Sequence, residues 1–300
     1  MAVLLDWLGC ATFRLTVDDV VIFLDAYMDR VPSAPPVGLS TKDITRADFV
    51  LVGHSHFDHL AGAEVIAHNT GAKIIGSNET ARVMRQHEVP DSQLQVSQGG
   101  EHWRLGPGVT VRVYPSLHSC IWVSASLSST EPAFGHLGLT EDERWRGGGL
   151  GGAIGRASGE ESQQAREMRE HLATSTGSSQ TGGALAFVIE TPYGSVFYQD
   201  TSGCWTGVLR DLRPDVAIVA AAGRGNIDGE PIQGTLAQFV AREADLMRPK
   251  RIILGHHDNW MPPLTPVGGT PTAPIVEELG RAAPYSTIIE MGYSEGVKIL

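Results

Sequence analysis

The chain has 300 residues, 42 % of them hydrophobic and 19 % charged, with 35 Gly, 17 Pro, 3 Cys and a formal charge of −11. This composition belongs to a folded chain able to bury a sizeable core, and it excludes disorder, a stapled mini-protein and a disulfide framework. The balance of 34 Asp+Glu against 23 Lys+Arg excludes the basic footprint that non-specific nucleic-acid binding requires.

The N-terminal stretch MAVLLDWLGC meets Asp6 almost at once and has no basic leader, so a signal peptide is not expected. No apolar run approaches the ~18 residues of a membrane span. Cysteines at 10, 120 and 204 suit a reducing compartment, and a cytoplasmic location follows as the expectation. Short strands are predicted over 4–8, 13–17 and 20–24, with Asp18 and Asp19 turning between the last two. After a Pro-rich loop over 31–38, the unalternated run DFVLV (48–52) has the pattern of a strand buried on both faces. Helical character follows over 60–68, then a strand over 73–75. A helix capped by Ser77 or Asn78 comes next.

Residues 93–115 are predicted to form a strand meander, with Val109, Val111 and Val113 alternating onto one face. The C-terminal third returns to a hairpin (ALAFVIE–TPYG–SVFYQD) and α/β patterns. These are the strand DVAIVAAA, the helix LAQFVAREADLM, the strand RIIL, a helix over IVEELGRAA and the closing strands STIIE and GVKIL. Between them, over 124–182, regularity dissolves into Gly-rich sequence around a helix at 158–172 capped at Ser158 or a neighbour. A long irregular stretch inside a compact unit is commonly a functional lid or a disordered insert. The expectation is one domain over 1–300, with 124–182 as an insert and active-site lid.

The strongest chemical signal is HSHFDH, His54 to His59, directly after the DFVLV strand. In extended backbone His54 and His56 project to the same side, and a turn redirects Asp58 and His59 toward a second ion. Neutral imidazoles suit zinc and similar metals. Three further candidates follow strands in the same way: His118, Asp200 and His256. All therefore lie beyond the carboxyl ends of strands, the edge where α/β proteins collect ligands. The pattern predicts a two-metal site.

HSHFDH followed by His118, Asp200 and His256 resembles the metallo-β-lactamase-fold hydrolases, whose pattern is HxHxDH and then His, Asp and His. The opening DWLGCATFRL and the late LGHHDNW are similar to the branch that includes ascorbate-6-phosphate lactonase-like proteins. The resemblance implies an α/β chain folded as an αββα four-layer sandwich. It also implies His54, His56 and His118 on one metal, Asp58, His59 and His256 on the other, and Asp200 bridging. The cofactors it implies are two divalent ions, zinc first, with Mn2+ or Fe2+ as alternatives. A hydroxide shared between them would attack the substrate, and Asp58 would orient water or shuttle a proton. His256 is preferred over His257 for its distance from the strand end. Where many relatives read LGHAT, this chain has Cys10, read as a small buried thiol.

The expected reaction is cleavage of a small-molecule lactone, ester or amide, with phosphoester cleavage as the alternative. An iron-dependent oxidoreductase stands third, because the resembling diiron flavoproteins carry Glu where this chain has His56. Substrate contacts are expected from Tyr27, Arg224, Asn226, His257 and Trp260, with Arg224 gripping an anionic substrate. His257 and Asp258 are also expected to fix ring orientation. His171 has the pattern of an ordinary surface or helix-end residue. The expected partner is a small molecule, not nucleic acid or membrane, and a homo-oligomer is compatible with the sequence.

Overall fold

The computed structural model describes residues 2–123, 130–146 and 162–300. Strands β1 (Val3–Trp7), β2 (Phe13–Val17), β3 (Val20–Leu24), β4 (Phe49–Leu51), β5 (Lys73–Gly76) and β6 (Leu94–Val96) come first. They are followed by β7 (His102–Gly106), β8 (Val109–Pro115), β9 (Leu185–Thr191), β10 (Gly194–Gln199), β11 (Gly203–Cys204) and β12 (Val216–Ala220). Strands β13 (Asn226–Ile227), β14 (Glu230–Pro231), β15 (Arg251–Gly255), β16 (Thr287–Ile289) and β17 (Val297–Lys298) complete the set. Helices are α1 (Phe57–Leu60), α2 (Ala63–Thr70), α3 (Asn78–Gln86), α4 (Glu141–Arg146), α5 (Gln163–Thr174), α6 (Thr206–Leu209), α7 (Leu236–Met247) and α8 (Ala273–Ala282).

Two seven-stranded sheets form, in the orders β17-β1-β2-β3-β4-β5-β6 and β16-β15-β12-β10-β9-β8-β7. The period-2 alternation of their side chains sorts them into separate cores. Val20, Ile22 and Leu24 of β3 face the second sheet, where they meet Val109, Val111 and Val113 of β8 and Val216 and Ile218 of β12. Val21 and Phe23 face the other way, onto Ala63, Ile66 and Ala67 of α2 and Val83 and Met84 of α3. On the far side, Ala217 and Val219 of β12 pack under Phe239 and Val240 of α7 and Ile275 and Leu279 of α8. Three buried interfaces between four layers give the αββα sandwich. Phe187, fully buried between the sheets, is a position where truncation to Ala would cost about 3–5 kcal/mol.

Three local expectations are corrected. Residues 93–115 are not one meander: β6 adds parallel to β5 in the first sheet, while β7 and β8 pair in the second. The chain crosses between sheets at Gly99 and Gly100, both at positive φ. A side chain at Gly99 would collide with Pro115. The helix expected over 60–68 is broken into α1 and α2 by Gly62 at φ 102°. The helix of the insert starts at Gln163 under a Ser162 cap; Ser158 lies outside the described residues. The closing strands part company, β16 joining β15 and β17 joining β1.

Candidate metal centre

Five chain reversals bring chemistry to one edge of the two sheets. Asp25 follows β3, Gly53 and His54 follow β4, His118 follows β8, Asp200 follows β10 and His256 follows β15. The chain remains extended through His56 (φ −65°, ψ 157°), which caps α1, and the first turn of that helix carries Asp58 and His59. Gly53 has no side chain because the Asp200 carboxylate occupies the space its Cβ would fill. Cys10 and His256 both adopt left-handed backbone, at φ 49° and 62°, a conformation L-residues enter at a cost of about 1–2 kcal/mol.

The side chains converge in two groups. His54 Nε2 lies 3.1 Å from His56 Nδ1, and His118 offers a nitrogen within 4.8 Å of both. In the second group Asp58 Oδ2, His59 Nε2 and His256 Nε2 form a triangle with sides of 3.4, 3.5 and 3.3 Å. Bonds of 2.0–2.1 Å to a tetrahedral ion separate ligand atoms by about 3.3–3.4 Å. Asp200 Oδ2 stands between the groups, 2.7 Å from His54 Nδ1 and 3.3 Å from His59 Nδ1.

The residues fit divalent ions on a further ground. Asp58 Oδ1, Asp200 Oδ1 and His256 Nδ1 are buried with no hydrogen-bond partner among the described residues. Orphaned carboxylate oxygens are costly inside a protein, and a cation satisfies them. Imidazole with carboxylate is a donor set for zinc, manganese or iron.

Electrostatics agree with the donor roles of His54, His56, His118 and Asp58, while His59 must give up a proton to serve as a ligand. Burial, aided by neighbouring imidazoles, pushes His54 well below the usual histidine range and takes His56 and His118 to about 3. All three are neutral and hold a free lone pair. Burial opposes ionisation of Asp58, but His59 and His256 beside it hold the carboxyl well below its ordinary value. Burial likewise disfavours a charged His59, yet Asp58, Asp200 and Asp25 keep its pKa well raised.

Supporting contacts fix the rings. His118 donates Nδ1–H to the Ser119 carbonyl at 2.9 Å, and Asn226 Nδ2 donates to the His118 carbonyl at 2.8 Å. His59 Nδ1 is bound by Asp25 Oδ2 at 2.7 Å. Such outer hydrogen bonds set which nitrogen is left for a metal. Sequence reasoning missed Asp25, although it directly follows strand β3, on the same edge as the other candidates.

The expected substrate contacts separate. Trp260 lines the cleft together with Ile121, Ser119 and Thr201 and meets His256 edge-on at 4.9 Å. Tyr27 is fully buried beneath it, its hydroxyl 2.9 Å from His171 Nε2, so His171, in the last turn of α5, is also a packing partner of the site. Arg224 is a correction: its guanidinium is spent on the carbonyls of Ile232, Ala133 and Gly135 and points to no anion. The expectation of an anionic substrate loses its basis with it. Asn226 supports His118 and does not line the cleft. His257 stacks on Trp7 at 4.5 Å, away from the cleft, while His256 joins Asp58 and His59. Asp258 orients no imidazole; its hydrogen bonds go to the Cys10 N–H, Arg30 and Tyr293.

Of the expected insert, residues 124–129 and 147–161 lie outside the described residues. The described part braces the metal loop: Ser55 N–H donates to the Thr181 carbonyl, and Ser178 N–H to that of Ser55. Met168 of α5 packs with Tyr27, Phe57 and Trp260.

Comparison with known proteins agrees with this geometry. A family model described as the β-lactamase superfamily domain matches residues 21–143. A "UPF0173 metal-dependent hydrolase" of Caldivirga maquilingensis is 30 % identical over 139 residues, 45 % of this chain and 59 % of that protein. A second of that name from Pyrobaculum islandicum is 32 % identical over 113 residues, 38 % and 49 % of the two chains. The chain thus spans about half the length of the curated relatives it matches. The solved structure of Igni18, a metallo hydrolase from Ignicoccus hospitalis, superposes with a TM-score of 0.63 at 17 % identity, covering 100 % of this chain and 99 % of that one. An isothiocyanate hydrolase from Delia radicum gut bacteria follows at 0.57 and 12 %, covering 100 % and 98 %. At such identities the structural likeness concerns the fold. The HxHxDH loop, the domain matched over residues 21–143 and the sandwich together make the chain similar to the metallo-β-lactamase superfamily.

Proposed function

We propose that this chain is a hydrolase that holds two divalent ions and cleaves a small, uncharged lactone, ester or amide. The reading is carried by the triangle of Asp58 Oδ2, His59 Nε2 and His256 Nε2, with sides of 3.3–3.5 Å. His54, His56 and His118 would hold one ion, and Asp58, His59 and His256 the other, with Asp200 between them. Zinc is proposed first and Mn2+ or Fe2+ as alternatives. Bound there, such ions supply Lewis acidity and a water acidified toward a pKa of about 7.

The chain's own groups supply the rest. Asp58, ionised at neutral pH, keeps Oδ1 free to accept a proton from water or to steer it. Ser119 and Thr201 bring hydroxyls to the cleft, and Trp260 with Ile121 gives it an apolar wall. Among the described residues no Lys or Arg lines it. Phosphoryl transfer calls for cationic clamps on its oxygens, so this lining favours a carbonyl substrate, and phosphoester cleavage is the second reading. The lactonase-like resemblance places lactones first among carbonyl substrates.

The metal-replete protein should be assayed against lactones, esters, amides and phosphodiesters. An isothiocyanate belongs in the same panel because of the structural neighbour named for it. Turnover of a carbonyl compound, abolished in His56→Ala and Asp58→Ala, is the expected result. Turnover confined to phosphodiesters selects the second reading, and unimpaired turnover in both variants removes the metal mechanism.

A further inference from the structure

We infer that Cys10 is a ligand at the second metal position, its sulfur joining Asp58 and His256; the inference rests on the metal-centre reading above. Cys10 lies in the turn between β1 and β2, far in sequence from every other candidate, and its side chain is completely buried. Its sulfur, a carboxylate oxygen of Asp58 and a ring nitrogen of His256 all lie within 4.8 Å of one another. One carboxylate oxygen beside the sulfur awaits a partner. Asp58 Oδ1 is buried and unpaired among the described residues, in a side chain more than nine-tenths buried.

The turn is clamped in a way that fixes the aim of the sulfur. The Cys10 carbonyl accepts the His256 N–H at 2.7 Å. The Cys10 N–H donates to Asp258 Oδ1 at 3.1 Å, and Asp258 is itself held by Arg30 and Tyr293. The left-handed residues Cys10 and His256 are therefore tied to each other, and each presents its side chain to Asp58. An aliphatic residue would fill the same space. Sulfur adds a soft donor beside an imidazole and a carboxylate, which biases the position toward zinc and away from manganese. As the metal–sulfur bond forms, the thiol proton leaves to solvent. Neither other cysteine has such neighbours: Cys120 contacts the Gly225 carbonyl and Cys204 lies against Glu243.

The test is cobalt(II) reconstitution of the full chain. Wild type should show a sulfur-to-cobalt charge-transfer band in the near ultraviolet, kept in Cys204→Ala and Cys120→Ala and lost in Cys10→Ser and Cys10→Ala. In Cys10→Ala the second cobalt should also bind about 10–100-fold more weakly, with the first unchanged. Visible cobalt bands without the sulfur band in wild type, or a sulfur band that survives Cys10→Ala, overturn the assignment and leave the metal centre standing. No cobalt bands at all overturn both. If neither Cys10 variant folds, the wild-type band and its survival in the two control variants decide.

Discussion

His59 Nδ1 and Asp25 Oδ2 stand 2.7 Å apart, joining the end of β3 to the first turn of α1. Asp25 also accepts the Gly53 N–H at 2.9 Å and the Tyr198 hydroxyl at 2.7 Å. One carboxylate thus ties a candidate ligand, the backbone of the metal loop and a strand of the second sheet together. Its own carboxyl is pushed up to about 6, by burial first and then by nearby Asp200. Asp25 touches no metal position directly, so its effect must pass through His59.

Asp25→Asn keeps the shape and removes the charge that fixes the His59 ring. The second ion should bind about 10–100-fold more weakly, as is usual for such partners. Affinity for the first ion should stay within about threefold. Competition against a chelating dye measures both. Equal loss at the two positions would mean that the variant had disturbed the whole loop.

Gly53→Ala tests the close approach of the two sheets at the site. A methyl group there would land on the Asp200 carboxylate, which holds His54 Nδ1 at 2.7 Å. Asp200 has to move, and displacement of about 1 Å at a reacting centre costs roughly a hundredfold. kcat/KM should fall at least that far and metal content should drop with it. A variant that is fully active and metal-replete would show that Asp200 does not bridge the two groups.

Arg224→Met separates a structural from a substrate role. The guanidinium ties the 133–135 segment to Ile232 through three carbonyls, so loss of the charge should lower stability by about 1–3 kcal/mol. KM for neutral and carboxylate-bearing analogues of one substrate should then change equally. A rise in KM confined to the anionic analogue would restore Arg224 to the substrate site.

The metal loop was legible because its ligand types are dense in sequence: four of the six residues from His54 to His59 are His or Asp, straight after a buried strand. His118, Asp200 and His256 were legible from one shared property, their place just past strand ends. Asp25 shares that property, yet a lone Asp after VIFL is what any loop begins with. Cys10 is harder still, since its contact with Asp58 depends on a left-handed turn that no periodicity encodes. Arg224 was misread because position at an edge says nothing about where a long side chain ends. Burial decided it: the residue is 6 % exposed, among carbonyls. The crossing at Gly99 and Gly100 was invisible for a related reason, as a turn between strands has the same pattern whether or not the sheet changes.

Glu243 on α7 offers a pH test independent of the metal ligands. It is fully buried under the second sheet, beside Gln199 and Cys204, with no hydrogen-bond partner for either carboxylate oxygen among the described residues, and burial raises its carboxyl to about 8. In the unfolded chain a glutamate titrates near 4.3. The folded value is the higher one, so the folded state binds the proton more tightly. Glu243's contribution to stability is intact below about pH 4 and is lost as pH rises through about 8. Glu243→Gln keeps the volume and carries no charge to bury. Its advantage over wild type should grow by roughly 1.4 kcal/mol for each pH unit between about pH 5 and about pH 8, several kcal/mol in all, and level off above. Urea unfolding of both chelated proteins across that range measures the difference, and titration of the shared His and Asp residues cancels in the subtraction. A difference that stays flat with pH would mean that Glu243 is charged in the folded protein throughout, with Gln199 and Cys204 compensating its burial.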